Sequence, residues 1–156
     1  MEHAATLTLP FEPAPRRRVH FKTRGASLGL TRGGTHDLVR QVEHGLSFKA
    51  LESLGAESGL GVPHLASVLG IPERTLARRK ASGRLSPEES ERLLRLSIVF
   101  ERAVELFAGD AARAIAWMAR PNKALGYESP LVYSRTELGA REVENVIGRL
   151  EHGVFA

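Results

Sequence analysis

A Gly-Ile-Pro turn constrains the fold of this chain more than any other feature of its sequence. The stretch LASVLGIPERTLARRKASG, residues 65–83, places Gly70-Ile71-Pro72 between two short segments of helical character. Glycine ends helices readily because it adopts left-handed backbone angles, and proline suits the first turn of a helix because its missing N–H is not needed there. The stretch therefore predicts two helices that meet at a tight turn.

The residues around this turn fit a helix-turn-helix, in which the second helix enters the major groove of DNA. Ala66 lets the two helices approach, and the angle between them is filled by Val68, Leu69, Ile71 and Leu76. We expect base contacts from the early part of the second helix and phosphate contacts further along it. The candidate DNA-binding residues are Arg74, Thr75, Arg78, Arg79, Lys80 and Ser82. The alternative is a helical hairpin with a solvated basic face.

The distribution of charge supports the DNA-binding interpretation. The net charge is only +4, but residues 16–32 contain six Lys or Arg and no acidic residue. Residues 74–84 contain five more, again without an acid, whereas residues 120–156 balance five basic against five acidic residues. Because clustered positive charge is what attracts nucleic acid, we expect DNA contacts near the turn and a different role for the C-terminal part.

Helix start and stop signals recur along the chain and predict an all-α fold. Starts are expected at Thr35, Ser47, Ser86, Asp110 and Thr136, the third with a capping box formed by Glu89. No strand pattern appears after residue 35. We expect a flexible basic arm (residues 1–34), a helix-turn-helix domain (35–108) and a smaller helical domain (109–156). The arm is either a disordered leader or a segment that touches phosphates or a partner.

The apolar spacing predicts which residues face the core. In the first helix the predicted core face is Leu38, Val39 and Val42, and in the last helix it is Leu138, Val143, Val146, Ile147 and Leu150. The remaining charged residues of the last helix are left to face outward.

No pattern in the sequence indicates catalysis. The histidines match no zinc spacing, no glycine-rich phosphate loop or nucleophile elbow is present, and cysteine is absent. We therefore expect neither an enzyme, nor a cofactor, nor a metal site. No apolar run is long enough to span a membrane, and the lack of cysteine suits a cytoplasmic protein.

The C-terminal part carries a series of short motifs in a fixed order. They are Trp117, the loop Pro121-Asn122-Lys123-Ala124-Leu125-Gly126, Ser129-Pro130-Leu131, Gly139-Ala140-Arg141-Glu142-Val143 and Glu151-His152-Gly153. This arrangement resembles the Xre/MbcA/ParS antitoxin family, and the resemblance extends over residues 36–156, including the stretch RTLARRKASGRLSPEESERLLRL. The basic N-terminal arm is outside it.

The resemblance implies a function in a type II toxin–antitoxin pair. It implies that the partner is a RES-domain toxin that destroys NAD, encoded by the adjacent gene, and that the C-terminal region blocks the toxin's active-site entrance. It also implies repression of the chain's own operon through the operator DNA. Candidate toxin-binding residues are Asn122, Lys123, Arg141, Glu144, Arg149, Glu151 and His152. For each of these, a solvated surface charge is the alternative.

Two other functions remain open at the level of sequence. The chain could be a plain transcriptional regulator whose C-terminal helices serve dimerisation or sensing, or an adaptor whose helix-turn-helix no longer binds DNA. A homodimer is expected because one recognition helix reads only a few base pairs. Residues 35–60 and the long helix after Ser86 are the candidate dimer surface.

Overall fold

The computed structural model describes residues 17–153, and these residues form helices connected by short turns. In chain order the α-helices are α1 (Thr35–His44), α2 (Phe48–Ser58), α3 (Val62–Val68), α4 (Glu73–Ser82), α5 (Pro87–Leu106), α6 (Ala111–Met118), α7 (Pro130–Tyr133) and α8 (Glu137–Glu151). Two short 3-10 helices, Ala26–Leu28 and Lys123–Leu125, complete them. Within residues 17–153 there is no strand, only an isolated bridge between Ser47 and Arg84. The predicted all-α class is confirmed.

Helix α5 is the centre of the fold. It packs against α1 on one side and against α6 and α8 on the other. Leu93, Val99, Phe100 and Val104 of α5 are fully buried. One continuous apolar core joins them to side chains of α2 and α3 and to side chains of α6 and α8. The helix-turn-helix part and the C-terminal part are therefore built on a shared core.

Most of the predicted helix caps are present. The Ser86 hydroxyl accepts a hydrogen bond from the Glu89 N–H at 3.1 Å, and the Glu89 carboxylate accepts from the Ser86 N–H at 2.8 Å. Ser47, Asp110 and Thr136 likewise accept from a backbone N–H in the first turn of α2, α6 and α8. These contacts satisfy N–H groups that have no partner within the helix.

Three local predictions are wrong. Helix α1 begins one residue early, with Gly34 at the N-cap in place of Thr35, because the Asp37 carboxylate accepts the Gly34 N–H at 3.1 Å. Val39 of α1 is 47% exposed and Leu138 of α8 is 82% exposed. Leu138 lies five residues before the buried Val143, which is about 140° around a helix and therefore away from the core.

Residues 17–34 are not a free arm. The 3-10 helix Ala26–Leu28 packs on α2 and α5, with Ser27 and Leu28 buried. The Phe21 ring lies 5.9 Å from the Phe100 ring, and the Val19 N–H donates to the Gly109 carbonyl at 2.9 Å. These partners are distant in sequence, so local patterns did not indicate them. The rest of the predicted arm, residues 1–16, lies outside the described residues.

A buried carboxylate anchors this N-terminal segment. Glu101 of α5 accepts hydrogen bonds from the Gly25 N–H (3.2 Å), the Ser27 N–H (2.9 Å) and the Ser27 hydroxyl (2.6 Å). Burial disfavours the charged carboxylate and raises the pKa of Glu101, and the hydrogen bonds from Ser27 and Gly25 only partly offset this effect.

Replacing Glu101 by Gln should change how stability depends on pH. Because the pKa of Glu101 is higher in the folded protein than in the unfolded chain, its protonated form stabilises the fold. This stabilisation is fully present below the unfolded-state pKa, about 4.3 for Glu, and is lost as the pH rises through the folded-state pKa. Wild type should therefore lose stability relative to Glu101→Gln as the pH increases. Urea unfolding of both proteins from about pH 4 to about pH 8 measures this difference. Glu105→Gln, an exposed change on the same helix, is the control for the substitution itself.

Candidate DNA and protein interfaces

The turn between α3 and α4 has the geometry that the sequence predicts. Gly70 follows α3 with a φ of +71°, in the left-handed region that favours glycine. The Ile71 N–H donates to the Ala66 carbonyl at 2.8 Å, which closes the turn. Leu65, Ala66 and Ile71 are buried, and Leu76 is half-buried against the same core. The two helices thus form a helix-turn-helix with α4 on the surface.

Helix α4 presents most of its polar side chains to solvent, and none of its residues is fully buried. Arg74, Arg78, Lys80 and Ser82 are exposed, whereas Thr75 and Arg79 are half-buried. An Arg78 guanidinium N–H lies 3.4 Å from the Thr75 hydroxyl, to which it donates. The exposed basic side chains are therefore free of the core and available to an anionic partner.

Arg79 has a different environment from the other basic residues of α4. Its Nε donates to Glu89 Oε1 at 2.7 Å, and this ion pair joins α4 to the first turn of α5. Burial opposes ionisation of Glu89, but hydrogen bonds from Ser86 and Arg79 outweigh it, so the pKa of Glu89 is lowered. Arg79 therefore holds α4 against the start of α5.

A second group of basic side chains lies beside the C-terminal end of α4. Arg40, His44, Lys49 and Arg84 line an open groove next to the N-terminus of α2. The Arg84 guanidinium donates to the Gly45 carbonyl at 2.7 Å, and this bond holds the loop after α1 against the end of α4. Arg40 and Lys49 stand outside the basic runs of the sequence, so charge clustering along the chain did not reveal them.

The loop after α6 is organised by Asn122. Its side-chain Oδ1 accepts the Ala124 N–H at 2.9 Å, and its N–H donates to the Glu128 carbonyl at 3.0 Å. The Asn122 carbonyl also accepts the Tyr127 N–H at 2.9 Å. The structure thus gives Asn122 a definite structural role within the loop. Lys123 lies beside it and is exposed.

The outward charges of α8 are tied into ion pairs on two flanks of the helix. On one flank Arg102 of α5 lies 3.8 Å from Glu144 and 3.3 Å from Glu151. On the other, Arg149 lies 3.6 Å from Glu142. Arg141 pairs with Glu137 at 2.7 Å, and His152 is the exposed C-cap. The predicted toxin-binding residues are therefore not gathered on a single face.

Arg135 connects the two parts of the molecule. It precedes the cap of α8, and its guanidinium donates to the carbonyls of Val68 (3.0 Å) and Ser67 (3.2 Å) at the end of α3. Its own carbonyl accepts from the Arg95 guanidinium at 2.9 Å. The start of α8 is thus hydrogen-bonded directly to the first helix of the helix-turn-helix.

Residues 17–153 contain no group of His, Cys, Asp and Glu side chains that could hold a metal ion. Among the helices of the same residues, none is long and apolar enough to cross a membrane.

Both parts of the chain match models of known protein families. Residues 37–97 match the model of the antitoxin Xre-like helix-turn-helix domain, and residues 102–153 match that of the antitoxin Xre/MbcA/ParS C-terminal toxin-binding domain. The chain is 40% identical to a Yersinia enterocolitica protein named Antitoxin Xre, over 94% of this chain and 98% of that one. It is 33% identical to an Antitoxin Xre of Photorhabdus laumondii, over 91% and 97% of the two chains.

Removing the charge of Glu89 should destabilise the fold at neutral pH. Glu89→Gln keeps a capping side chain but loses the ion pair with Arg79, which should cost about 1–2 kcal/mol of unfolding free energy. Because folding lowers the pKa of Glu89, its charged carboxylate stabilises the fold, and this contribution is lost as the pH falls through the folded-state pKa. The difference in unfolding free energy between wild type and Glu89→Gln should therefore shrink in acid. Urea unfolding at several pH values measures this difference. Glu91→Gln, which removes the charge of an exposed carboxylate paired with Arg95, should change stability by less than half as much.

Proposed function

Because the chain belongs to the Xre antitoxin family, we propose that it neutralises a RES-domain toxin and represses its own operon. The family assignment provides a DNA-binding helix-turn-helix domain and a toxin-binding domain. The identity of the toxin, the destruction of NAD and the repression are our proposal. The observation that carries it is the combination, on one shared core, of an exposed basic α4 with a C-terminal unit whose last helix, α8, has its charges in ion pairs.

The toxin-binding role is proposed for the surface formed by α8 and the loop at Asn122. A surface that carries balanced charge suits a protein partner, because isolated charges are costly to desolvate in a protein interface. The proposed contacts are Asn122, Lys123, Arg141, Glu144, Arg149, Glu151 and His152. In this role the chain is a non-enzymatic inhibitor that covers the entrance of the toxin's active site.

The DNA-binding role is proposed for the exposed face of α4. The exposed Arg74 and Arg78 are proposed to contact base edges, and the exposed Lys80 is proposed to contact phosphate. The basic groove at Arg40, Lys49 and Arg84 extends the positive surface beyond α4. A homodimer would present two such helices to two operator half-sites, with residues 35–60 and α5 as the proposed dimer surface.

Co-expression with the neighbouring toxin gene tests the inhibitory role. The neighbouring gene alone should stop growth and deplete NAD, and adding this chain should restore both. Arg149→Ala combined with Glu151→Ala should weaken the rescue, because each change removes a proposed contact and one ion pair of α8. Arg120→Ala, an exposed change in the same domain, is the control. A neighbouring protein that is harmless and does not co-purify would rule out the antitoxin role and leave a DNA-binding regulator.

Titration of the upstream DNA tests the second role. Arg78→Ala should lower operator affinity by about tenfold or more, since a bidentate arginine–guanine contact contributes roughly 1–3 kcal/mol. Lys80→Ala should weaken binding to all sequences and reduce the slope of log affinity against log salt by about one. Gel-shift measurements at several salt concentrations separate the two effects. Unchanged affinity in both variants would contradict the assignment of α4 as the recognition helix.

A further inference from the structure

We propose that the groove between α7 and α8 receives an apolar side chain of the toxin, with a basic side chain of the toxin beside it. The groove is formed by Val132, Leu138 and the adjoining carboxylate of Glu128. This inference rests on the proposed function, because it identifies where the toxin-binding domain makes its apolar contact. None of these three residues belongs to the charged set proposed above.

The exposure of apolar side chains is concentrated at this corner of the molecule. Four large hydrophobic residues of the described chain are exposed: Val39 at 47%, Tyr127 at 69%, Val132 at 40% and Leu138 at 82%. Three of the four lie within residues 127–138. Isolated exposed hydrophobic residues are common, but a group of them on one surface is typical of a binding site. The corner therefore differs from the rest of the surface.

The groove is an open depression of about 680 Å³ with an apolar side and an acidic rim. Val132 and Leu138 form the apolar side, and Glu128 and Glu142 lie at the rim. Its shape is fixed by Gly139, where a Cβ would overlap the Tyr133 carbonyl oxygen, so that only glycine lets α7 approach α8 this closely. The depression is therefore formed before any partner arrives, which lowers the entropic cost of binding.

The charges around the groove favour a basic group on the partner. Arg135 also lines the groove, but its guanidinium is hydrogen-bonded to the carbonyls of α3. Glu142 is paired with Arg149. Within residues 17–153 the exposed carboxylate of Glu128 makes no ion pair. A basic side chain placed beside the apolar one would supply the missing partner for Glu128.

The position of the groove selects the toxin as its occupant. Residues 128–142, which contain it, lie inside the matched toxin-binding domain, residues 102–153. The proposed dimer surface, by contrast, involves residues 35–60 and α5. A second copy of this chain is therefore an alternative outcome of the test below.

Leu138→Arg tests the apolar contact without disturbing the core, since the side chain is 82% exposed. The tagged product of the neighbouring toxin gene, made by cell-free translation, is immobilised and titrated with each variant. Leu138→Arg should bind about tenfold or more weakly, as expected for loss of a central apolar contact. Ala116→Arg places the same charge on an exposed apolar site of α6, outside the groove, and should bind like wild type. Circular dichroism and operator binding should be unchanged in both.

Glu128→Lys tests the charge at the rim. It should weaken toxin binding, and the loss should decrease at high salt, whereas Glu128→Gln should have a smaller effect. The same titration, run at low and high salt, measures both. Lysine at this position should leave the fold intact because the side chain is exposed.

The possible outcomes distinguish a failure of the groove assignment from a failure of the proposed function. If wild type binds and neutralises the toxin and Leu138→Arg does so equally well, the groove is not the contact and the proposed function stands. If Ala116→Arg weakens binding as much as Leu138→Arg does, a general effect of added charge overturns the groove assignment. If Leu138→Arg changes only the oligomeric state, the groove joins copies of this chain. If wild type itself does not bind, the proposed function fails.

Discussion

The structure depends on the burial of α5 on several sides at once. Its apolar residues contact the helix-turn-helix on one side and the toxin-binding helices on the other, so neither part has a separate core. Burying an apolar side chain contributes about 1.5–3 kcal/mol. The twenty-residue length of α5 is what allows one helix to serve both parts. A domain boundary drawn between them in sequence therefore passes through a single packed unit.

Polar contacts then fix how the peripheral segments sit on this core. Glu101 holds the segment at Ser27, Glu89 holds α4 through Arg79, and Arg135 holds the start of α8 against α3. Each of these contacts is made between elements that are far apart in sequence. Because α4 has no fully buried residue, its orientation relies on the pair with Glu89 and on Leu76. The Arg135 contact joins the start of α8, beside the proposed toxin surface, directly to the helix-turn-helix.

The two proposed interfaces have different chemistry. Within residues 17–153 the exposed basic side chains of α4 make no ion pair, and binding there is expected to depend on salt. The charges of α8 are in ion pairs, and an apolar groove lies beside this helix, so binding there is expected to depend on shape and desolvation. The same molecule can therefore contact DNA and a protein through surfaces that do not compete for the same groups.

Much of the architecture was determined by the sequence alone. The caps at Ser47, Ser86 and Asp110 and the turn at Gly70 follow from local backbone chemistry, and local chemistry is read directly from neighbouring residues. The order of short motifs likewise identified the family, which the matched relatives confirm. The same spacing also contained the information that Leu138 faces away from Val143, although counting apolar residues along α8 placed it in the core.

Only the tertiary structure decided which distant groups meet. It placed residues 17–34 on the core, because Glu101 lies more than seventy residues from the Gly25 and Ser27 groups that it binds. It also separated Arg79 from the other basic residues of α4, since its partner Glu89 lies on the next helix. The tertiary structure also placed the exposed Leu138 in the same groove as Val132 and Glu128. Local patterns specify helices and caps, whereas these contacts depend on how the helices pack in three dimensions.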